Sequence, residues 1–212
     1  RTAVRARQVF PVLCGSAIQN RGVQPLLDRI VQILPPASEA AARFGSGKGS
    51  ERIERGPKAD GPTSAYVFKI IPSEVGKMAV VRVISGKLHA EGNIWNANHE
   101  HEERTGHLYV FTPGKRHTVH EAFPGDIVGI AKLKATRTGD TLCDKKDPVI
   151  FPRPVVPAPV VRYSLHPKAK TDEAKLAQKL HDITEEDIAL RMEHDPVSKE
   201  LLLGGCGPVH IE

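Results

Sequence analysis

The 212 residues allow one large domain or two small ones, and a net charge of +5 with a pI near 9.2 leans toward an anionic partner, although a modest lysine excess on a solvated surface gives the same number. Three cysteines, Cys14, Cys143 and Cys206, are odd in number, far apart and free of any CxxC pair, which argues against a disulfide framework or zinc ribbon and for reduced cytosolic thiols. No apolar stretch approaches the roughly 18 residues of a membrane span, and no signal peptide opens the chain, which is expected to be a fragment of a longer protein because it starts at Arg1 and closes on Ile211-Glu212 like a strand cut short.

Val9 to Leu13 is a short apolar run that predicts a buried strand, with Cys14 a core thiol, and Gly15-Ser16-Ala17 follows as a turn. A helix is predicted from about Val23 to Leu34: Val23, Leu26, Leu27, Ile30, Val31 and Leu34 share one stripe, and Pro35-Pro36 stops it. A strand and a helix cannot enclose a core, so residues 1–36 need something else to pack on. Residues 37–62 contain no aliphatic side chain larger than Ile53 and read as a flexible linker. Within it, Gly45-Ser46-Gly47-Lys48-Gly49-Ser50 mimics a phosphate loop, but there the lysine is followed by Gly and no strand or helix flanks it, as G-x-x-x-x-G-K-[ST] requires.

Residues 63–147 are expected to form a β-barrel. Strands at Ala65–Ile71, Met78–Ser85, Ile94-Trp95, Arg104–Phe111 and His117–Phe123 are punctuated by glycine turns. The stretch from Phe123 to Asp144, FPGDIVGIAKLKATRTGDTLCD, then sets Gly-Asp turns at Gly125-Asp126 and Gly139-Asp140 around one segment. Ile127, Gly129, Ala131 and Leu133 fall on one face, Val128 and Ile130 make the other apolar as well, and Leu142-Cys143 returns to the core. Residues 148–159 are proline-dense and read as an extended connector. Residues 160–212 give a strand (Val160–Leu165), a helix capped by Thr171 or Asp172 and carrying Leu176, Leu180 and Ile183, then a hairpin from Ile188–Met192 and Glu200–Leu203 around Asp195-Pro196. That β-α-β-β order is the first part of a ferredoxin-like domain, so the predicted class is mainly β with α+β: a β-barrel followed by a partial ferredoxin-like domain.

Catalytic chemistry is thinly represented. Ser16 lies in G-S-A rather than G-x-S-x-G, Cys206 sits among glycines without a visible His-Asn or His-Asp context, and paired carboxylates such as Glu185-Glu186-Asp187 read as solvated faces. No catalytic residue is assigned. His99 and His101, with Glu100, Glu102 and Glu103 nearby, offer a non-enzymatic, metal-binding barrel as one alternative; an exposed polar loop at a hairpin tip accounts for the same residues, and a structural zinc site asks for four ligands at defined spacing, so no metal ligand is assigned. Arg82, Lys87, Arg104, Lys115, Arg116, Lys132, Lys134 and Arg137 spread cations over the barrel, with Trp95, Tyr109 and Phe111 among them. From these, Arg82, Lys87, Lys132, Lys134 and Arg137 are the candidate RNA-contacting set, although outward Lys and Arg over core aromatics give the same composition.

Several segments resemble elongation factor G, of the translational GTPase family, in order along the chain. Pro11-Val12-Leu13-Cys14-Gly15-Ser16-Ala17 and Asn20-Arg21-Gly22-Val23-Gln24-Pro25-Leu26-Leu27-Asp28 resemble the end of that family's GTPase domain. Val67-Phe68-Lys69-Ile70, Gly76-Lys77, Arg82-Val83, Ser85-Gly86 and the GDI and TGDTLCD turns resemble its barrel domain II. Phe151-Pro152-Arg153-Pro154-Val155-Val156 resembles the start of domain III, and Pro167-Lys168, Lys170, Asp172, Lys175 and Leu176 match P-K-x-K-x-D-x-x-K-L. The resemblance implies that Ser16 and Ala17 lie on the guanine side of a nucleotide site, that the full-length protein uses GTP/GDP and Mg²⁺ while the fragment takes no cofactor, and that the partner is the ribosome, through ribosomal RNA and small-subunit proteins. It also implies a cytoplasmic, GTP-dependent translocation of tRNA and mRNA by a parent GTP hydrolase, with no membrane contact and a monomeric, inactive fragment. His166 stands where the family has Glu, Ile188 where it has Pro, and Gly205-Cys206-Gly207-Pro208-Val209-His210 replaces G-M-G-E-L-H, which implies a divergent paralogue. A ribosomal protection or remodelling factor, like the tetracycline-resistance factors, is the alternative within the superfamily.

Overall fold

The computed structural model describes residues 1–212 apart from 48, 50, 74, 75, 168 and 170–172, and gives the backbone alone at 173 and 174. It divides into two compact units, Arg1–Ala41 and Ala42–Glu212.

In the first unit, α1 (Thr2–Arg5) leads to an extended stretch and α2 (Val23–Ile33), and Arg5 ties the start to Glu39 at 2.8 Å. The expected strand at Val9–Leu13 is not formed: Phe10 and Val12 are 74% and 89% exposed, and Cys14 is exposed rather than buried. A strand is stable only when its N–H and C=O groups meet a neighbouring ladder, and none of the described residues pairs with this run. α2 follows its predicted bounds closely, but its apolar stripe (Leu26, Leu27, Ile30, Val31) is exposed within the unit.

In the second unit, the segment expected to be a linker begins with an antiparallel hairpin, β1 (Arg43–Ser46) and β2 (Arg52–Arg55). Ile53 packs with Val149 and Phe151, Ser46 bridges Ile150, and the buried Arg55 guanidinium pairs with Asp147 at 2.7 Å. With a single large aliphatic, the hairpin has no apolar alternation to announce it, and long-range partners hold it in place. Lys48 and Ser50 of the phosphate-loop mimic lie outside the described residues.

Ten strands then form the barrel: β3 (Ser64–Ser73), β4 (Gly76–Ser85), β5 (Leu88–His89), β6 (Asn93–Asn96), β7 (His101–Arg104), β8 (Leu108–Thr112), β9 (Lys115–Val119), β10 (Glu121–Ala122), β11 (Ile127–Ala131) and β12 (Thr141–Cys143). Eight of them make one antiparallel sheet in the order β7-β6-β12-β3-β4-β11-β8-β9, while β5 pairs with β10. The sheet wraps a core of Val67, Val81, Val83, Leu88, Leu108, Val128, Ile130 and Leu142, all at most 1% exposed. The inward face of β11 is therefore Val128 and Ile130; Ile127, expected beside Gly129 and Ala131, is 48% exposed. Leu133 lies beyond the strand, because Lys132 adopts φ +66° and breaks the alternation there. Arg104–Phe111, expected as one strand, is interrupted where the Thr105 hydroxyl accepts the Gly92 N–H at 2.9 Å and ends β7.

Val149 and Phe151 belong to the barrel's second cluster, so the connector leaves the barrel only after them. The third domain has β13 (Val161–Ser164), α3 (Glu173–Glu186), β14 (Arg191–His194), β15 (Leu201–Gly205) and α4 (Pro208–Ile211). The three strands pair antiparallel in the order β13-β15-β14, and Leu180, Leu190 and Leu203 form its core. The chain closes in a helical turn, not the cut strand expected, with Pro208 at the first helical position, where its missing N–H costs nothing. Lys168, Lys170, Thr171 and Asp172 of the expected cap and motif lie outside the described residues. Among the described residues no helix is long and apolar enough to cross a membrane.

Candidate nucleic-acid interface

The basic loop between β11 and β12 is tied to the barrel through its own backbone. Its backbone is held from beneath by two carboxylates. Glu103, 3% exposed on β7, accepts the N–H of Lys134 at 2.8 Å and of Ala135 at 2.9 Å and the Thr136 hydroxyl at 2.9 Å. Burial opposes its charge, but these donors, with His101, outweigh it and hold the carboxyl below its ordinary range. Asp140, fully buried in the second Gly-Asp turn, accepts from the Arg137 N–H at 2.8 Å, Asn96 Nδ2 at 3.1 Å and Arg153 at 2.8 Å, and meets His99 Nε2 at 3.0 Å.

Pinning the backbone from inside turns the loop's cations outward. Lys132, Lys134 and Arg137 are exposed, and among the described residues none of the three side chains, nor that of Arg104, meets a carboxylate. Lys132, Lys134, Arg104, His107, Tyr109 and the carboxylate of Glu91 line one open cavity of about 810 Å³, in which His107 stands edge-on to Tyr109 at 6.3 Å and 3.5 Å from Glu91, leaving the lysines and Arg104 as its unpaired cations among the described residues. Unpaired cations beside an aromatic edge suit a sugar-phosphate backbone.

The candidate set thus separates. Lys132 and Lys134 share this cavity, and Arg137 stands beside it on the same loop, lining the neighbouring cavity with Lys134. Arg82 lies mid-strand on β4, opposite Tyr66 and Ile127. Lys87 is elsewhere, 3.9 Å from Glu121 and 5.3 Å over the Phe123 ring. Arg104 and His107 complete the cavity though neither belonged to the chosen set; Arg104 stood among the barrel cations, but nothing in the spacing marks the pair. Asp140 was marked in sequence only as a turn residue and Glu103 only as an acid beside His99 and His101; nothing signalled that either is buried and anchors the loop, since a buried anchoring carboxylate looks like any surface acid in sequence. His99 and His101 part company: His99 turns to Asp140, while His101 opens β7 opposite Asn96. Among the described residues no group of three or more His, Cys, Asp or Glu is disposed to hold a metal.

In the first unit, residues 16–21 close a tight loop in which Ser16 N–H donates to Arg21 O at 2.9 Å and Arg21 N–H returns to Ser16 O at 3.0 Å. Gly22 sits at φ +76°, and a Cβ there would stand 2.7 Å from Cys14 O, so only glycine lets the two arms meet. Ala17 is exposed at the tip.

Residues 62–145 match the family described as elongation factor G domain 2, and residues 156–212 match elongation factor G, domain III. The chain belongs to the elongation factor G family. A crystal structure from Thermus thermophilus is similar to this elongation factor G chain over 99% of its length, with 33% identity and a TM-score of 0.76. The chain spans 29% of that protein. The barrel is thus the part matched as domain 2 and the third domain the part matched as domain III, and the basic loop lies within the domain 2 match.

Proposed function

We propose that this chain is the central part of a cytoplasmic, ribosome-acting elongation factor G whose full-length form couples GTP hydrolysis to translocation of tRNA and mRNA. The observation that carries the reading is the succession of elongation factor G domains 2 and III on one chain. The barrel would dock on small-subunit ribosomal RNA through Lys132, Lys134 and Arg104, and the third domain would follow the nucleotide state.

The fit to the nucleotide is partial. The loop, closed at the half-buried Ser16 and exposed at Ala17, offers a small surface that suits the edge of a guanine base. No phosphate loop occurs in the sequence, and among the described residues no set of carboxylates or histidines suits Mg²⁺. Triphosphate and metal would therefore be held by an upstream GTPase unit, and no hydrolytic step runs through these residues. The chain alone, a monomer in this reading, binds GTP weakly.

The test is ribosome-stimulated GTP hydrolysis by the full-length protein together with a single-turnover translocation assay. Stimulated hydrolysis with movement of tRNA is the expected result. Hydrolysis without movement would replace translocation by a protection or remodelling role, a reading that the altered Gly205–His210 segment favours. No stimulation would overturn both.

A further inference from the structure

Among the described residues, the barrel and the third domain share no apolar cluster. The barrel clusters close around Val81, Ile130 and Phe151, and the third-domain cluster of Leu180, Leu190 and Leu203 packs with Leu165, Leu176, Leu201 and Ile211. What crosses between them is charge. Lys77, at the start of β4, is gripped by Glu185 on α3 and stands 3.5 Å from Asp182, while Lys69 on β3 lies 4.0 Å from Glu186. Each of these side chains is between 26% and 51% exposed. Two open cavities of about 340 and 280 Å³ flank the contact and share Ile70, Thr136, Arg137 and Glu185, so water reaches it from both sides.

The chain also marks where the third domain would pivot. Arg153 is fixed to the buried Asp140 at 2.8 Å, and the Phe151 N–H to Thr141 Oγ1 at 2.9 Å. On the far side, Val160 N–H bonds to Gly205 O at 2.9 Å. Between these anchors lie Pro154, Pro157 and Pro159 in a stretch without helix or strand, with Val155 97% exposed. A short proline-rich strut between fixed ends swings as a semi-rigid arm.

We propose that Lys77, held by Asp182 and Glu185, is a releasable electrostatic latch that seats the third domain on the barrel, and that residues 154–159 are its hinge. Solvated ion pairs contribute little each and weaken with salt, so closed and open arrangements lie close in free energy. The Lys77 carbonyl also accepts the Lys132 N–H at 3.3 Å, which places the latch on the same strand end as the basic loop. The inference stands apart from the ribosomal reading, since it concerns only contacts within this chain.

The test uses the full chain in a C14S background, with spin labels on the exposed Cys206 and on an introduced K115C. At low salt the label distances are dominated by a narrow closed population, with a minor broad population beside it. K77E broadens the distribution, with the population outside the closed distance rising several-fold, and the charge swap K77E/E185K narrows it again. Raising ionic strength on the unsubstituted latch from about 0.01 M to about 1 M broadens the distribution in the same way, which needs no latch variant to fold. Distances unaffected by K77E, unaffected by salt, or broadened by K77E without recovery in the swap would each overturn the latch.

Discussion

Glu103 organises the candidate interface without belonging to its surface. Its carboxylate satisfies two loop N–H groups and one hydroxyl in a nearly dry setting. Glu103→Ala leaves those donors unpaired and is expected to cost about 2–3 kcal/mol, read from denaturant midpoints at unchanged slope. The pH dependence has a definite sign. A carboxyl held below its ordinary value in the folded state contributes stability that is complete above the unfolded value and lost as pH falls through the folded one. Asp187, lowered first by its hydrogen bond with His210, acts in the same direction. Unfolding free energy should therefore fall as pH drops below the ordinary carboxylate range, and the Glu103→Ala variant should lose less over that interval. Outward from this anchor, a Lys132→Ala/Lys134→Ala double variant should keep wild-type stability while weakening binding to small-subunit ribosomal RNA. The slope of log affinity against log salt should shrink by about 1 to 2, as expected for one or two phosphate contacts. An unchanged slope would remove these lysines from the interface.

Among the elements, the Gly139-Asp140 turn matters more than its length suggests. Asp140 joins β6 through Asn96, the basic loop through the Arg137 N–H, and the connector through Arg153. Arg153→Ala removes one charged partner of a buried carboxylate that keeps its others, so we expect a loss of about 1–3 kcal/mol in barrel stability. It should also increase amide exchange along residues 151–156, while amides of β3 and β4 stay protected. The β1–β2 hairpin shows the same dependence on distant partners: Arg55 with Asp147 and Ser46 with Ile150 hold a segment whose own composition is that of a linker.

At the level of the molecule, separate cores predict separate melting. Calorimetry of the chain should show the barrel and the third domain unfolding in two transitions, because the charged contacts between them carry little cooperative coupling. A single transition with equal calorimetric and van't Hoff enthalpies would contradict this and weaken the latch proposal with it. The family's tandem order and the basic loop give the whole its proposed direction of action, RNA on the barrel and movement in the third domain.

Sequence periodicity sufficed for the barrel class, for α2 and for the β-α-β-β order, because alternation, helical spacing and glycine or proline punctuation are local properties of the backbone. The resemblance to elongation factor G was legible for a related reason: short motifs in a fixed order carry more information than any one of them. Local pattern failed wherever long-range partners decide the outcome. Val9–Leu13 has the composition of a strand yet lies exposed with no ladder beside it among the described residues, and residues 43–55 have the composition of a linker yet pair as strands. β11 is apolar on both faces, so alternation could not choose its inward side, and the core that the sheet wraps selected Val128 and Ile130. Of the candidate cations, folding grouped Lys132 and Lys134 with Arg104 and set Lys87 against Glu121. The outward set of Lys132, Lys134 and Arg137 rests on Glu103 and Asp140, which pin the loop backbone and whose burial follows from the meeting of strands distant in sequence.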